Sequence, residues 1–156
     1  MQSIYGSEII TLDHYKDLPL PMYQTMEAAG FDLLAAIENN MEIKPCNRLI
    51  IPTGIKIIMP AGYNAEIRSR SGLAFKDGII VLNAPGTIDS DFRDFEVKVC
   101  LYNTDPGRTF IVRRGDRIAQ CVITKCYGMS NVETREQSRK GGFGHTGVEL
   151  AGISGI

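Results

Sequence analysis

A carboxylate able to deprotonate water, a guanidinium beside a hydroxyl and a glycine, and a phenylalanine set among glycines occur in three separate blocks of this chain. The carboxylates belong to Gly86-Thr-Ile-Asp-Ser-Asp-Phe92. Hydrolysis at phosphorus needs a base for water, and Asp89 can supply it. A surface aspartate in a turn is the plainer reading of the same residue. Asp89 and Phe92 are three apart, so a straight strand sends them to opposite faces. If both serve one site the segment must bend, and Pro85-Gly86 offers the place. In Arg70-Ser-Gly-Leu-Ala74, Gly72 lets backbone approach a ligand, and Ser71 sets a hydroxyl beside a guanidinium fork suited to phosphate. An ordinary strand-to-turn junction would look similar. The third block, Gly141-Gly-Phe-Gly-His-Thr-Gly147, reads either as a flexible tail or as a lid that carries an aromatic ring.

The elements that must position these blocks are strands. In Tyr63-Asn-Ala-Glu-Ile-Arg-Ser-Arg70, Tyr63, Ala65 and Ile67 fall on one face, and Asn64, Glu66, Arg68 and Arg70 on the other. Glu96-Val-Lys-Val-Cys-Leu-Tyr102 alternates likewise, with Val97, Val99 and Leu101 inward. Such period-two patterning predicts half-buried antiparallel strands. Leu49–Ile51, Gly54–Met59, Thr109–Val112 and Ile118–Ile123 add four candidates. Pro- and Gly-containing turns separate them at short intervals, which implies a sandwich, jelly roll or barrel. Gly72–Lys76 and Leu33–Ile37 invite a helical turn. Residues 1–132 are expected to form the all-β domain. Residues 133–156, polar and then glycine-rich, are expected to form an extended mobile arm.

Composition narrows the class. The chain has 156 residues, 44% hydrophobic and 22% charged, as a globular domain does. Its 17 basic and 18 acidic residues leave a net charge of −1, which argues against broad nucleic-acid binding. Cys46, Cys100, Cys121 and Cys126 form no Cys-x-x-Cys pair. They are expected as buried or half-buried thiols in a reducing compartment. The first residues lack a basic region followed by an apolar run, and no apolar stretch is long enough to span a membrane. The expected location is the cytoplasm.

Two further blocks complete a set. They are Ala28-Ala-Gly-Phe-Asp-Leu33 and Arg117-Ile-Ala-Gln120, the second alternating Arg and Ala against Ile and Gln. The order and spacing of all five resemble the motifs of the homotrimeric dUTP pyrophosphatase (dUTPase) family, from about residue 18 to residue 147. The resemblance implies a jelly-roll-like β-barrel and hydrolysis of dUTP to dUMP and pyrophosphate. It makes Asp89 the group that orients and deprotonates the water attacking the α-phosphorus. Ser71 and Gly72 would bind the α/β-phosphate region, with Arg70 in support and Gln120 in the phosphate and water network. Thr87 and Ile88 belong to the hairpin whose backbone reads uracil, with Asn83 as its side-chain contribution. Phe92 stands where the family has a Tyr that packs on deoxyribose and excludes a 2′-hydroxyl. The ring is retained and the phenol lost.

The resemblance also carries Lys98 to the site and has Arg117 brace Asp32 through an ion pair, with Asp32 a second layer behind the metal. One residue is inserted in Phe92-Arg-Asp-Phe-Glu96, where the family reads Tyr-Arg-Gly-Glu; a β-bulge is the expected accommodation. In the arm, Phe143 would stack on the base, while Gly144, His145 and Thr146 meet the γ-phosphate. Arg139 stands four residues before the Phe, where the family's Arg stands five before. Mg²⁺ is expected through triphosphate oxygens and water. Three chains would build each of three sites. A dCTP deaminase of the same fold and a non-catalytic nucleotide-sensing module are the rival readings. The first would need a glutamate at the pyrimidine C4. The second would have no need of Asp89, Ser71 and Phe143 together.

Overall fold

Alternation of apolar and polar residues becomes alternation of burial along the strands. The computed structural model describes residues 6–130, 132–133 and 141–143. In chain order the strands are β1 (Glu8–Thr11), β2 (Gly30–Leu34), β3 (Met41–Ile43), β4 (Arg48–Pro52), β5 (Ile55–Ile58), β6 (Tyr63–Arg68), β7 (Ile79–Val81), β8 (Gly86–Asp89), β9 (Lys98–Asn103), β10 (Phe110–Val112) and β11 (Arg117–Lys125). A single α-helix among the described residues, α1 (Ser71–Asp77), follows β6 and ends on Gly78 in the left-handed region. Val97, Val99 and Leu101 are buried as expected, and so are Ala65 and Ile67.

All described pairings are antiparallel. They form a four-stranded sheet β2-β11-β6-β8, a three-stranded sheet β4-β9-β7, and the pairs β1-β5 and β10-β3. Their inner faces share one core, with Leu33, Ile51, Ile55, Val97, Leu101 and Ala119 buried at its centre. The arrangement is the all-β, jelly-roll-like one expected, although the described ladders do not close into a barrel. No helix among the described residues is long and apolar enough to cross a membrane.

Several expectations are corrected. Leu33–Ile37 is not a helical turn. Leu33 and Leu34 end β2, and the next two backbone N–H groups donate to Asp116 and Pro52 carbonyls, so the segment bridges two sheets. The inserted residue at Asp94-Phe95 makes no bulge. Residues Ser90–Phe92 form a 3₁₀ turn, Phe95 N–H donates to the Phe92 carbonyl at 3.0 Å, and the strand starts only at Lys98. A register shift occurs instead in β11 between Arg117 and Ala119. It buries both Ile118 and Ala119 and breaks the expected alternation. The thiols divide: Cys100 and Cys121 are buried, whereas Cys46 and Cys126 are exposed in the turn after β3 and just beyond β11. Burial pushes the Cys121 thiol up to about 12.

Candidate functional site

The central strands β6 and β11 place two groups of candidate residues at different levels of one sheet. At one level, Gln120 pairs with Asp32 on one side and with Arg68 on the other, so these three side chains share the outer face. The register shift puts Gln120 there rather than on the apolar side. The chain then leaves β6 through Ser69 and Arg70. Arg70 Nε donates to Asp32 Oδ1 at 2.8 Å, and its Nη1 donates to the Arg117 carbonyl at 2.9 Å. Arg117 Nη1 stands 3.6 Å from Asp32 Oδ2. The expected Arg117–Asp32 ion pair is therefore present, but Arg70 makes the closer contact, a tie that the local sequence does not announce. Gln120 Nε2 donates to the Ser69 carbonyl at 3.1 Å. Ser71 and Gly72, exposed in the first turn of α1, lie immediately beyond this knot.

The second group lies along β8, an edge strand. Asp89 pairs with Asn64 and Gly86 with Ile67, so β8 runs beside the other half of β6. A pocket of about 170 Å³ opens where β8 faces β7 and β9. Asn83, Gly86, Thr87, Ile88, Phe92 and Lys98 line it, all but Gly86 being candidates from the sequence. Ile67, Val81 and Val99 supply its apolar floor; period-two alternation places Ile67 and Val99 inward without marking them as pocket walls. The chain bends at Pro85, as expected, and again after Asp89: β8 ends there and the 3₁₀ turn carries Phe92 back to the pocket. Asp89 itself is half-buried at the strand end and is not among the lining residues.

Two residues of the stretch expected to form the arm line the same pocket. Gly142 and Phe143 line it, with Phe143 57% exposed and at φ +47°. They meet the pocket of their own chain. Arg139, Gly144, His145 and Thr146 lie outside the described residues.

The groups touch through Ser69, whose carbonyl accepts from Gln120 and whose hydroxyl accepts from the N–H of Val81 in the pocket floor, but Asp89 and Gln120 do not meet within one chain. From Asn64, opposite Asp89, to Arg68, opposite Gln120, is four residues of strand, or about 13 Å, and Gln120 is two strands from Asp89, a further ~10 Å across. Their Cα atoms are thus about 16 Å apart on this geometry. Side chains of that length cannot share one water across such a gap.

Residues 16–147 match the dUTPase family. The deoxyuridine 5′-triphosphate nucleotidohydrolase of Wolbachia sp. subsp. Brugia malayi is 51% identical over 146 residues, covering 90% of this chain and 92% of that protein. The enzyme of the same name from Neorickettsia sennetsu is 48% identical over 147 residues, covering 92% and 97%. Among solved structures, the dUTPase from Streptococcus mutans aligns with a TM-score of 0.67 at 26% identity, over 81% of this chain and 99% of that one. A mutant dUTPase from phage phi11 of S. aureus, which coordinates a structural Mg(II) ion, aligns with a TM-score of 0.70 over 84% and 97%. At 18% identity that likeness speaks for the fold alone.

Proposed function

Because the chain belongs to the dUTPase family and hydrolyses dUTP to dUMP and pyrophosphate, we propose that β8 and its pocket hold the deoxyuridine while Asp89 activates the water. The observation that carries this reading is the pocket itself. At about 170 Å³ it is smaller than the roughly 300–1,000 Å³ of pockets that enclose whole drug-sized ligands, so it suits base and sugar and leaves the phosphates outside. Backbone groups of Thr87 and Ile88 and the Asn83 amide face the base. The Phe92 ring walls the sugar. Asp89, at the strand end where the pocket gives way to solvent, takes a proton from water as the water oxygen bonds to the α-phosphorus. The bond from that phosphorus to the bridging oxygen breaks, and pyrophosphate leaves.

The phosphates need the other group. Arg70, fixed by Asp32, Ser71 and Gly72, and Gln120 form a phosphate cradle that belongs to a second copy of the chain. The ~16 Å between Asp89 and Gln120 within one chain supports this assignment. A closed ring of three identical chains repeats such a heterologous contact without open ends, and a homotrimer is the assembly we assign. Phe143 then stacks on the base, with Arg139, Gly144, His145 and Thr146 on the phosphate side. In the single chain Gly142 and Phe143 rest on this same pocket.

The described residues hold no cluster of three His, Cys, Asp or Glu side chains suited to a metal. Both oxygens of Asp32 already face guanidinium groups. This donor set fits Mg²⁺ carried by triphosphate oxygens and water. When bound, the ion neutralises phosphate charge. Lys98 and Arg70 add fixed positive charge on the two sides. Four cysteines without disulfides suit a reducing compartment, and we assign the activity to the cytoplasm.

The test is product analysis. With Mg²⁺ and each nucleotide in turn, dUTP should yield dUMP far faster than dTTP, dCTP or UTP is consumed. Asp89→Asn should lower kcat by about 10²–10⁴ while nucleotide still binds, the usual worth of a positioned base. Near-normal turnover in that variant removes Asp89 from the mechanism.

A further inference from the structure

Phe92 is 9% exposed and its ring is gripped from two sides. On one side is Phe95, in the Asp94-Phe95 stretch that carries the insertion, with ring centroids 5.3 Å apart and planes inclined by 42°. The Phe95 N–H also donates to the Phe92 carbonyl at 3.0 Å, so backbone and ring are tied together in one tight turn. On the other side is Gly142 of the arm. A Cβ there would stand 3.1 Å from Phe92 Cε2 and 3.4 Å from Cζ, closer than a side chain readily fits unless the ring gives way. A phenylalanine ring has no hydroxyl to anchor it, and its χ2 well is broad. Its tilt is therefore set by what packs on it.

We propose that Phe95 is a positioning residue for sugar selection. It holds the Phe92 ring at the angle that walls the pocket against a 2′-hydroxyl, and the arm seats on that same ring through Gly142. The proposal rests on the reading of Phe92 as the sugar wall. The Asp94-Phe95 stretch thereby acquires a role, since a ring contact from within the turn steadies an aromatic wall that carries no phenol. An aromatic pair of this kind changes an equilibrium by about two- to tenfold beyond its buried area.

The experiment compares kcat/KM for dUTP and for UTP in the assembled protein and in Phe95→Ala, Phe95→Leu, Phe95→Tyr and Phe92→Ala. Phe95→Ala should reduce the preference for dUTP over UTP by about two- to tenfold. Phe95→Leu, which keeps bulk and removes the ring, should shift it in the same direction, and Phe95→Tyr should keep it. Phe92→Ala should reduce it further, and adding Phe95→Ala to that variant should change it no more, because Phe95 acts through Phe92. A merely structural role for Phe95 would lower stability and leave the ratio alone. If Phe95→Ala fails to fold, the Leu variant decides. Wild-type preference in the Phe95 variants, with preference lost in Phe92→Ala, overturns the proposal and leaves the pocket reading standing. Preference retained in Phe92→Ala overturns both.

Discussion

Asp32 is the residue whose replacement should separate support from chemistry. It is absent from the pocket around β8, yet it fixes Arg70 with a 2.8 Å hydrogen bond and faces Arg117 at 3.6 Å. The Asp32 side chain is 14% exposed, that of Arg70 28% and that of Arg117 52%. Asp32→Asn keeps the shape and removes the charge. Arg70 keeps its charge, so the exchange replaces an ion pair's hydrogen bond with one between an ion and a neutral amide and costs at most about 1–1.5 kcal/mol at Arg70. The more exposed Arg117 pair adds at most about 1 kcal/mol. The sum, at most about 2.5 kcal/mol, lowers Tm by up to roughly 10 °C in a chain of this size. Thermal unfolding of the assembled protein measures that loss. Steady-state kinetics on dUTP measure the release of Arg70, which should lower kcat/KM by about tenfold as one oriented phosphate contact is weakened. Unchanged Tm together with unchanged kinetics would refute the claim that Asp32 holds Arg70 in its working place.

Two other predictions probe the frame. Gly30→Ala should destabilise the protein by about 1–3 kcal/mol, because a Cβ there would stand 2.6 Å from the Cys121 carbonyl oxygen and force β2 off β11; a shift in denaturation midpoint measures it. Cys121, buried and with its thiol pushed up to about 12, should resist a thiol reagent until the protein unfolds, whereas exposed Cys46 reacts in the native state; counting labelled thiols by mass before and after denaturation checks both.

The strands were legible in the sequence wherever one face is buried and the other wet. Tyr63–Arg68 and the stretch around Val97–Leu101 alternate because the sheet pleat alternates. Strands β1, β2, β3, β7 and β8 escaped because they lack a clear run of alternation, whereas equally short β5 and β10 showed through their apolar runs. Leu33–Ile37 looked helical from its Leu and Ala residues, but the strand partners across β11 overrode that preference. Most pocket residues were legible as well, since Asn83, Thr87, Ile88, Phe92 and Lys98 all reach one cavity. The contacts formed by folding were not. Nothing local in Arg70-Ser71-Gly72 announces that Arg70 will turn back to Asp32, 38 positions away. The register shift that moves Gln120 to the outer face has no turn residue to mark it, and the aromatic contact of Phe95 depends on a 3₁₀ turn that its neighbours do not spell out.

The central claim is that a working site takes Asp89 from one chain and the Gln120 cradle from another. Subunit complementation tests it most directly. Asp89→Asn and Gln120→Ala are each prepared as assembled proteins with little activity on dUTP, then dissociated, mixed in equal amounts and reassembled. If sites are shared between neighbours in a ring, about a quarter of them in the mixture carry both an intact Asp89 and an intact Gln120, and activity should rise to about that fraction of wild type. If reassembly is verified and the mixture stays at the level of the two parents, each site is built within one chain and the account is contradicted.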